Sequence, residues 1–161
     1  KADGSLTGVG LGTACLPFKP VPGNVYELKI NTALTPGIKT HWVAIAFATA
    51  LPAGDKGLNI TQRGMILLRD NGAGQLMLGG GTINGGATSL NITPNKTTAE
   101  LKIVLDTRPA LWTVDFQIDG VSFGKGTFSK SNPDIQYIGF GKYGNVTGSV
   151  DNFTLTTKTG D

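Results

Sequence analysis

Polar and apolar residues alternate along VYELKIN, residues 25–31, with Tyr26, Leu28 and Ile30 on one side and Glu27 and Lys29 on the other. A side-chain period of two is that of a strand with one face in water. AELKIVLDT repeats it around Leu101, Ile103 and Leu105, until Arg108-Pro109 breaks the run. HWVAIAFAT, residues 41–49, is apolar on both faces, which predicts a central strand covered on both sides. Residues 65–68 and 75–78 read as the arms of a hairpin around Asp70-Asn71-Gly72, and Asn84-Gly85 repeats the turn chemistry. IQYIGFG, residues 135–141, and SVDNFTLTT, residues 149–157, supply two further strands, while GGGTINGG, residues 79–86, reads as a loop.

The 24 glycines and 8 prolines leave no window in which a 3.6-residue apolar period persists long enough for an ordinary helix. Eight or nine short strands at spacings of about ten to fifteen residues predict an all-β fold, a two-sheet antiparallel sandwich of jelly-roll type, with a barrel as the alternative.

LWTVDFQIDG, residues 111–120, places two carboxylates four positions apart. Trp112, Val114, Phe116 and Ile118 share the apolar face, so Asp115 points away from it, and Asp119 beside Gly120 reads as a hairpin turn. Had both remained in one strand they would stand about 13 Å apart, beyond the roughly 5–10 Å that paired carboxyls need across a glycosidic bond. The other acids show no paired spacing either, so no catalytic residues and no enzyme are expected.

Composition narrows the classes further. The 161 residues suit one sandwich spanning 15–161, preceded by an extended segment, 1–14. One cysteine, Cys15, and one histidine, His41, exclude an internal disulfide and give too few ligands for a zinc or Cys–His site, and no cofactor is implied. The 14 basic and 11 acidic residues are scattered, which argues against nucleic acid as a partner. No apolar run approaches the roughly eighteen residues that membrane insertion requires. A chain that starts at Lys1 without an initiator methionine is expected to be a processed, secreted one.

Read in order, LPFKPVPGNVYELKI, HWVAIAF, RGMILLRDNG, LKIVLDTRPALWTVDFQIDG and NPDIQYIGFGKYGNVTGSVDNFTLT resemble the LamG-like, concanavalin A-like jelly-roll domains of secreted bacterial proteins, over residues 16–157. The resemblance implies a two-sheet sandwich in an extracellular setting without implying one activity, because the fold hosts lectins, adhesive spacers and glycanases. Glycanase relatives carry Glu, Asp and Glu at alternate strand positions. This chain has two glutamates, Glu27 and Glu100, and nothing that matches. Calcium-binding relatives use clustered Asp and Asn, for which Asp70-Asn71 is the nearest candidate; it reads as a turn, so no metal is expected.

Two functional classes remain. In the amino-terminal segment glycines alternate with Val9 and Leu11, so Leu6, Val9, Leu11 and Thr13 can add an extended strand to the chain's own sheet or to that of a second copy. The leading expectation is therefore a structural subunit that self-associates into a fibre or surface assembly. The alternative is a carbohydrate-binding module. Trp112, Phe116, Tyr26, Phe47, Phe140 and Phe153 sit among apolar neighbours and are assigned to the core, leaving Trp42 and Tyr143 to stack on a sugar. Trp42 shares a face with Ala44, Ala46 and Ala48, and those small residues are expected to receive bulky side chains from the opposite sheet rather than floor a groove. His41 is expected to be a polar strand end. Asn59, Asn91, Asn95, Asn145 and Asn152 each begin an N-glycosylation sequon.

Overall fold

The computed structural model describes residues 5–6, 12–38, 40–52 and 57–159. Among them the strands build two antiparallel sheets. One holds seven: β1 (Ser5–Leu6), β3 (Asn24–Leu34), β7 (Gly81–Ile83), β9 (Thr98–Asp106), β10 (Thr113–Ile118), β11 (Val121–Phe128) and β13 (Gly148–Thr159), in the order β1-β13-β3-β9-β10-β11-β7. The other holds six: β2 (Gly12–Pro17), β4 (Trp42–Ala48), β5 (Gln62–Arg69), β6 (Gly74–Met77), β8 (Ser89–Ile92) and β12 (Tyr137–Tyr143), in the order β2-β12-β4-β5-β6-β8. A single turn of helix, α1 (Leu58–Thr61), precedes β5. The sandwich expected from the alternation is the fold observed.

Alternation decides which side chains meet between the sheets. Leu28, Ile30, Leu101, Ile103, Leu105, Val114 and Phe116 project inward from the seven-stranded sheet and are buried. Val43, Ile45, Phe47, Ile66 and Leu68 meet them from the six-stranded sheet in one core cluster. Burying a side chain of this size contributes about 1.5–3 kcal/mol, so this layer supplies most of the driving force for folding. Tyr26 and Trp112 join the core as expected, whereas Phe140 and Phe153 are only partly buried against it.

The covering of β4 corrects one expectation. The residues that face the opposite sheet are Val43, Ile45 and Phe47, whereas Ala44, Ala46 and Ala48 lie on the outer side with Leu58, Met65 and Leu67 in a second cluster. Among the described residues no bulky side chain from the other sheet reaches the alanines, and Leu58 of α1 packs over them. It sits close because β12 offers no side chain beneath it: a Cβ on Gly139 would stand 2.8 Å from Leu58, and one on Gly141 3.3 Å. The loop expected over residues 79–86 also contains β7, a three-residue edge strand paired with β11.

The amino-terminal strands pair within the chain. Ser5 and Leu6 lie opposite Ser149 and Gly148, and β2 pairs with β12 through its whole length, with Thr13 opposite Gly141. β2 thus crosses the expected boundary between residues 14 and 15. Val9 and Leu11 lie outside the described residues.

Candidate functional site

The outer faces of the two sheets differ in chemistry. On the seven-stranded sheet acids and cations alternate and neutralise each other. Lys158 meets Glu27 at 2.7 Å, Lys29 and Lys102 flank Glu100 at 3.7 and 3.6 Å, and Arg108 meets Asp106 at 2.7 Å. The Lys158 hydrogen bond holds the Glu27 carboxyl below its ordinary range, and the Arg108 guanidinium does the same for Asp106. This is a solvated, charge-balanced surface, and such pairs contribute little individually.

The six-stranded sheet carries no carboxylate in any of its strands, and its outer face is a floor of small and apolar groups edged by rings and amides. Register sets the rows. Arg69, Trp42 and Tyr143 lie side by side across β5, β4 and β12, and Asn91, Gln75, Leu67, Ala44, Gly141 and Thr13 form the next row. Cross-strand neighbours on one face stand about 5 Å apart, but Leu67, Ala44 and Gly141 in the second row are buried, which leaves Gln75 and Asn91 accessible on one side of the covered stretch and Thr13 on the other. Leu58 covers the far part of this face. The end at Trp42 stays open, with Tyr143 44% exposed and Trp42 half-buried.

Trp42 and Tyr143 stack with ring centroids 5.8 Å apart and planes inclined by 22°. On the other side of Trp42, Arg69 reaches across its hairpin. Nη1 donates to Gly74 O and Nη2 to Gln75 Oε1, both at 3.3 Å. Gln75 and Asn91 extend the polar edge.

A loop contact fixes the position of Tyr143. His41, immediately before β4, packs edge-on to Tyr143 at 6.2 Å, and its Nδ1 accepts the Asn145 N–H at 3.1 Å. Nδ1 is therefore an acceptor, and the 4.0 Å approach of Asp70 Oδ2 to the same nitrogen is not an ion pair in this arrangement. Asp70 is buried at the β5–β6 turn, with Oδ1 unpartnered among the described residues. Gly144, at φ +71°, lets the chain pass under the imidazole, since a Cβ there would overlap the His41 ring.

The remaining sequence candidates scatter. Asp115 accepts hydrogen bonds from Gln117 and Ser122 on the seven-stranded sheet. Asp119 occupies the left-handed region at φ +50°, pairs with Lys96 at 2.7 Å and accepts the Glu100 N–H at 2.8 Å. Its carboxyl is held low by Lys96 and that N–H, so it is a turn residue without an acid partner. Cys15 lies on the outer face of the six-stranded sheet, where burial pushes its thiol up, away from the reactive thiolate. Asn59, Asn91, Asn95, Asn145 and Asn152 are all exposed, and Asn91 borders the site. Among the described residues no three His, Cys, Asp or Glu side chains gather into a metal-binding group. The sequence reading singled out Trp42 and Tyr143 but missed Arg69 and Gln75. The signal was present in β5 and β6, where Arg69 and Gln75 alternate with the apolar Leu68 and Leu76.

No protein-family model matches the chain, and no curated protein matches it in sequence. Solved structures do match in shape. The metal-free carbohydrate recognition domain of Emp46p aligns with a TM-score of 0.58 and 13% identity over 95% of this chain and 79% of that one. A variant of human galectin-16 aligns at 0.55 and 11% identity, over 91% and 95% respectively. An endo-1,3-beta-glucanase from Streptomyces sioyaensis aligns at 0.54 and 13% identity, over 82% of this chain and 55% of that one. At such identities the likeness is one of fold: the chain is a concanavalin A-like jelly roll. It supports the broad fold and not the narrower LamG-like bacterial group.

Proposed function

We propose that the chain is a non-catalytic carbohydrate-binding module whose site is the open end of the six-stranded sheet's outer face. The observation that carries this is the stacked Trp42–Tyr143 pair with Arg69 beside it and Gln75 and Asn91 on the strands beyond. A pyranose presents an apolar C–H face and a rim of hydroxyls, so it needs a flat ring beneath it and amide or guanidinium groups at its edge. The carbohydrate recognition domain and the galectin among the matched structures lend support, since proteins of those names share this architecture. Binding without cleavage is supported by the strands of this sheet, which hold no acid pair among the described residues to protonate a leaving oxygen. This displaces the self-assembling subunit as the preferred reading: the described amino-terminal strands complete the chain's own sheets.

Glycan-array screening of the wild type beside Trp42→Ala and Tyr143→Ala tests it. Trp42→Ala removes an apolar contact worth about 1.5–3 kcal/mol, so affinity falls at least roughly tenfold. Wild-type protein that binds no glycan, or binding untouched by both substitutions, would overturn the proposal.

A further inference from the structure

The charged residues of the strands are divided between the sheets. The six-stranded sheet has three cations, Arg63, Arg69 and Lys142, and no acids. The seven-stranded sheet has five acids, Glu27, Glu100, Asp106, Asp115 and Asp151, against four lysines, Lys29, Lys102, Lys125 and Lys158. From their strands one sheet therefore carries +3 and the other −1, which Arg108 beside Asp106 brings to zero.

Within the positive sheet only Arg69 belongs to the aromatic row. Arg63 lies six residues away on β5, about 20 Å at strand rise, where it bonds Gln62 O and acts on Asp134. Lys142 alternates with Tyr143 along β12 and donates to Gly144 O at 3.4 Å. Lys29, Lys96, Lys102, Arg108 and Lys158 each have a carboxylate within 4 Å, whereas Arg69 has none among the described residues. Its two protein partners are neutral oxygens at long range, and they engage two of its five N–H groups. The buried carboxylate next to it in the chain, Asp70, turns toward His41 and Gly37 and so lies off this row.

Resting on the carbohydrate-binding reading above, we infer that the site takes an anionic saccharide, a pyranose bearing a carboxylate or a sulfate, and that Arg69 is the residue that selects it. A guanidinium fork with donors in reserve matches the paired oxygens of either group, and a setting of Trp42 and Leu67 without competing acids strengthens that contact. The sugar ring rests on Trp42, its anionic group meets Arg69, and a following unit of the saccharide lies toward Gln75 and Asn91, two and three strands from Trp42.

Titration calorimetry with oligogalacturonate against its methyl ester, and with dextran sulfate against dextran, tests the inference. At low salt at least one anionic probe binds roughly tenfold or more tightly than its neutral counterpart, and the better of the two names the anion. The ratio shrinks as added salt screens it. Arg69→Gln collapses the ratio toward one, and Arg69→Lys restores part of it, with unchanged melting temperatures showing that both variants fold. Equal affinity for charged and neutral members of both pairs, or a ratio that survives in Arg69→Gln, overturns the inference. Neutral glycans bound in a Trp42-dependent manner with no anionic preference would sink it while leaving the module reading standing. No binding by either probe pair together with an empty glycan array would remove both.

Discussion

Single residues hold the site in shape through backbone geometry as much as through side chains. Gly144 is the clearest case, because its left-handed φ and the imidazole above it both exclude a Cβ. A non-glycine residue forced into that region costs about 1–3 kcal/mol, and here His41 must also move. Gly144→Ala is therefore expected to lower the melting temperature and, by releasing Tyr143, to weaken any ligand held on the rings; thermal melts and titrations on one preparation check both. Turn residues of this type were partly legible. Asn84 and Asp119 precede glycines and adopt the positive φ that Asn-Gly and Asp-Gly signal. Asn152, which takes the same conformation at the β13 bulge, is followed by Phe153, and nothing local marks it. Its backbone is set by the register that β3 imposes.

At the level of elements, the legible strands were those that bury one face. β3, β9 and β10 announce themselves through alternation because packing requires it. β2, β7 and β8 do not, since edge strands can owe their place to a neighbour's hydrogen bonds rather than to their own side chains. The six-stranded sheet was harder still. β4 is buried on both sides, so its composition could not say which face met the other sheet, and the cover came from α1, a helix too short to leave a periodic signal. β2 carries a testable consequence. Removal of residues 1–17 strips the outer strand from β12 and bares an edge beside Gly139 and Gly141, so the truncated chain is expected to melt lower and to associate by light scattering. Removal of residues 1–11 leaves β2 whole and is expected to cost less.

Over the whole molecule, stability should follow the carboxyls of the charge-balanced face, the Asp119 turn, and Asp134, which Thr49 and Gln136 hold beside the six-stranded sheet. Glu27, Asp106, Asp119 and Asp134 are all held below their ordinary values by hydrogen bonds, from Lys158, Arg108, Lys96 and Gln136 respectively. Groups whose folded pKa is depressed stabilise the native state above the unfolded pKa and lose that contribution as pH falls through the folded value. Denaturation midpoints are therefore expected to hold steady near neutrality and to decline below about pH 4; a midpoint that rises on acidification would show that these pairs do not matter. Carboxyls likewise set the division of charge between the two sheets. Acid has no strand carboxylate to protonate on the six-stranded side, whereas the opposite side surrenders all five of its negative charges. Near neutrality the strands of the six-stranded sheet thus carry a net positive charge that those of the opposite sheet lack. In strong acid the strands of both sheets are positive, and that contrast fades.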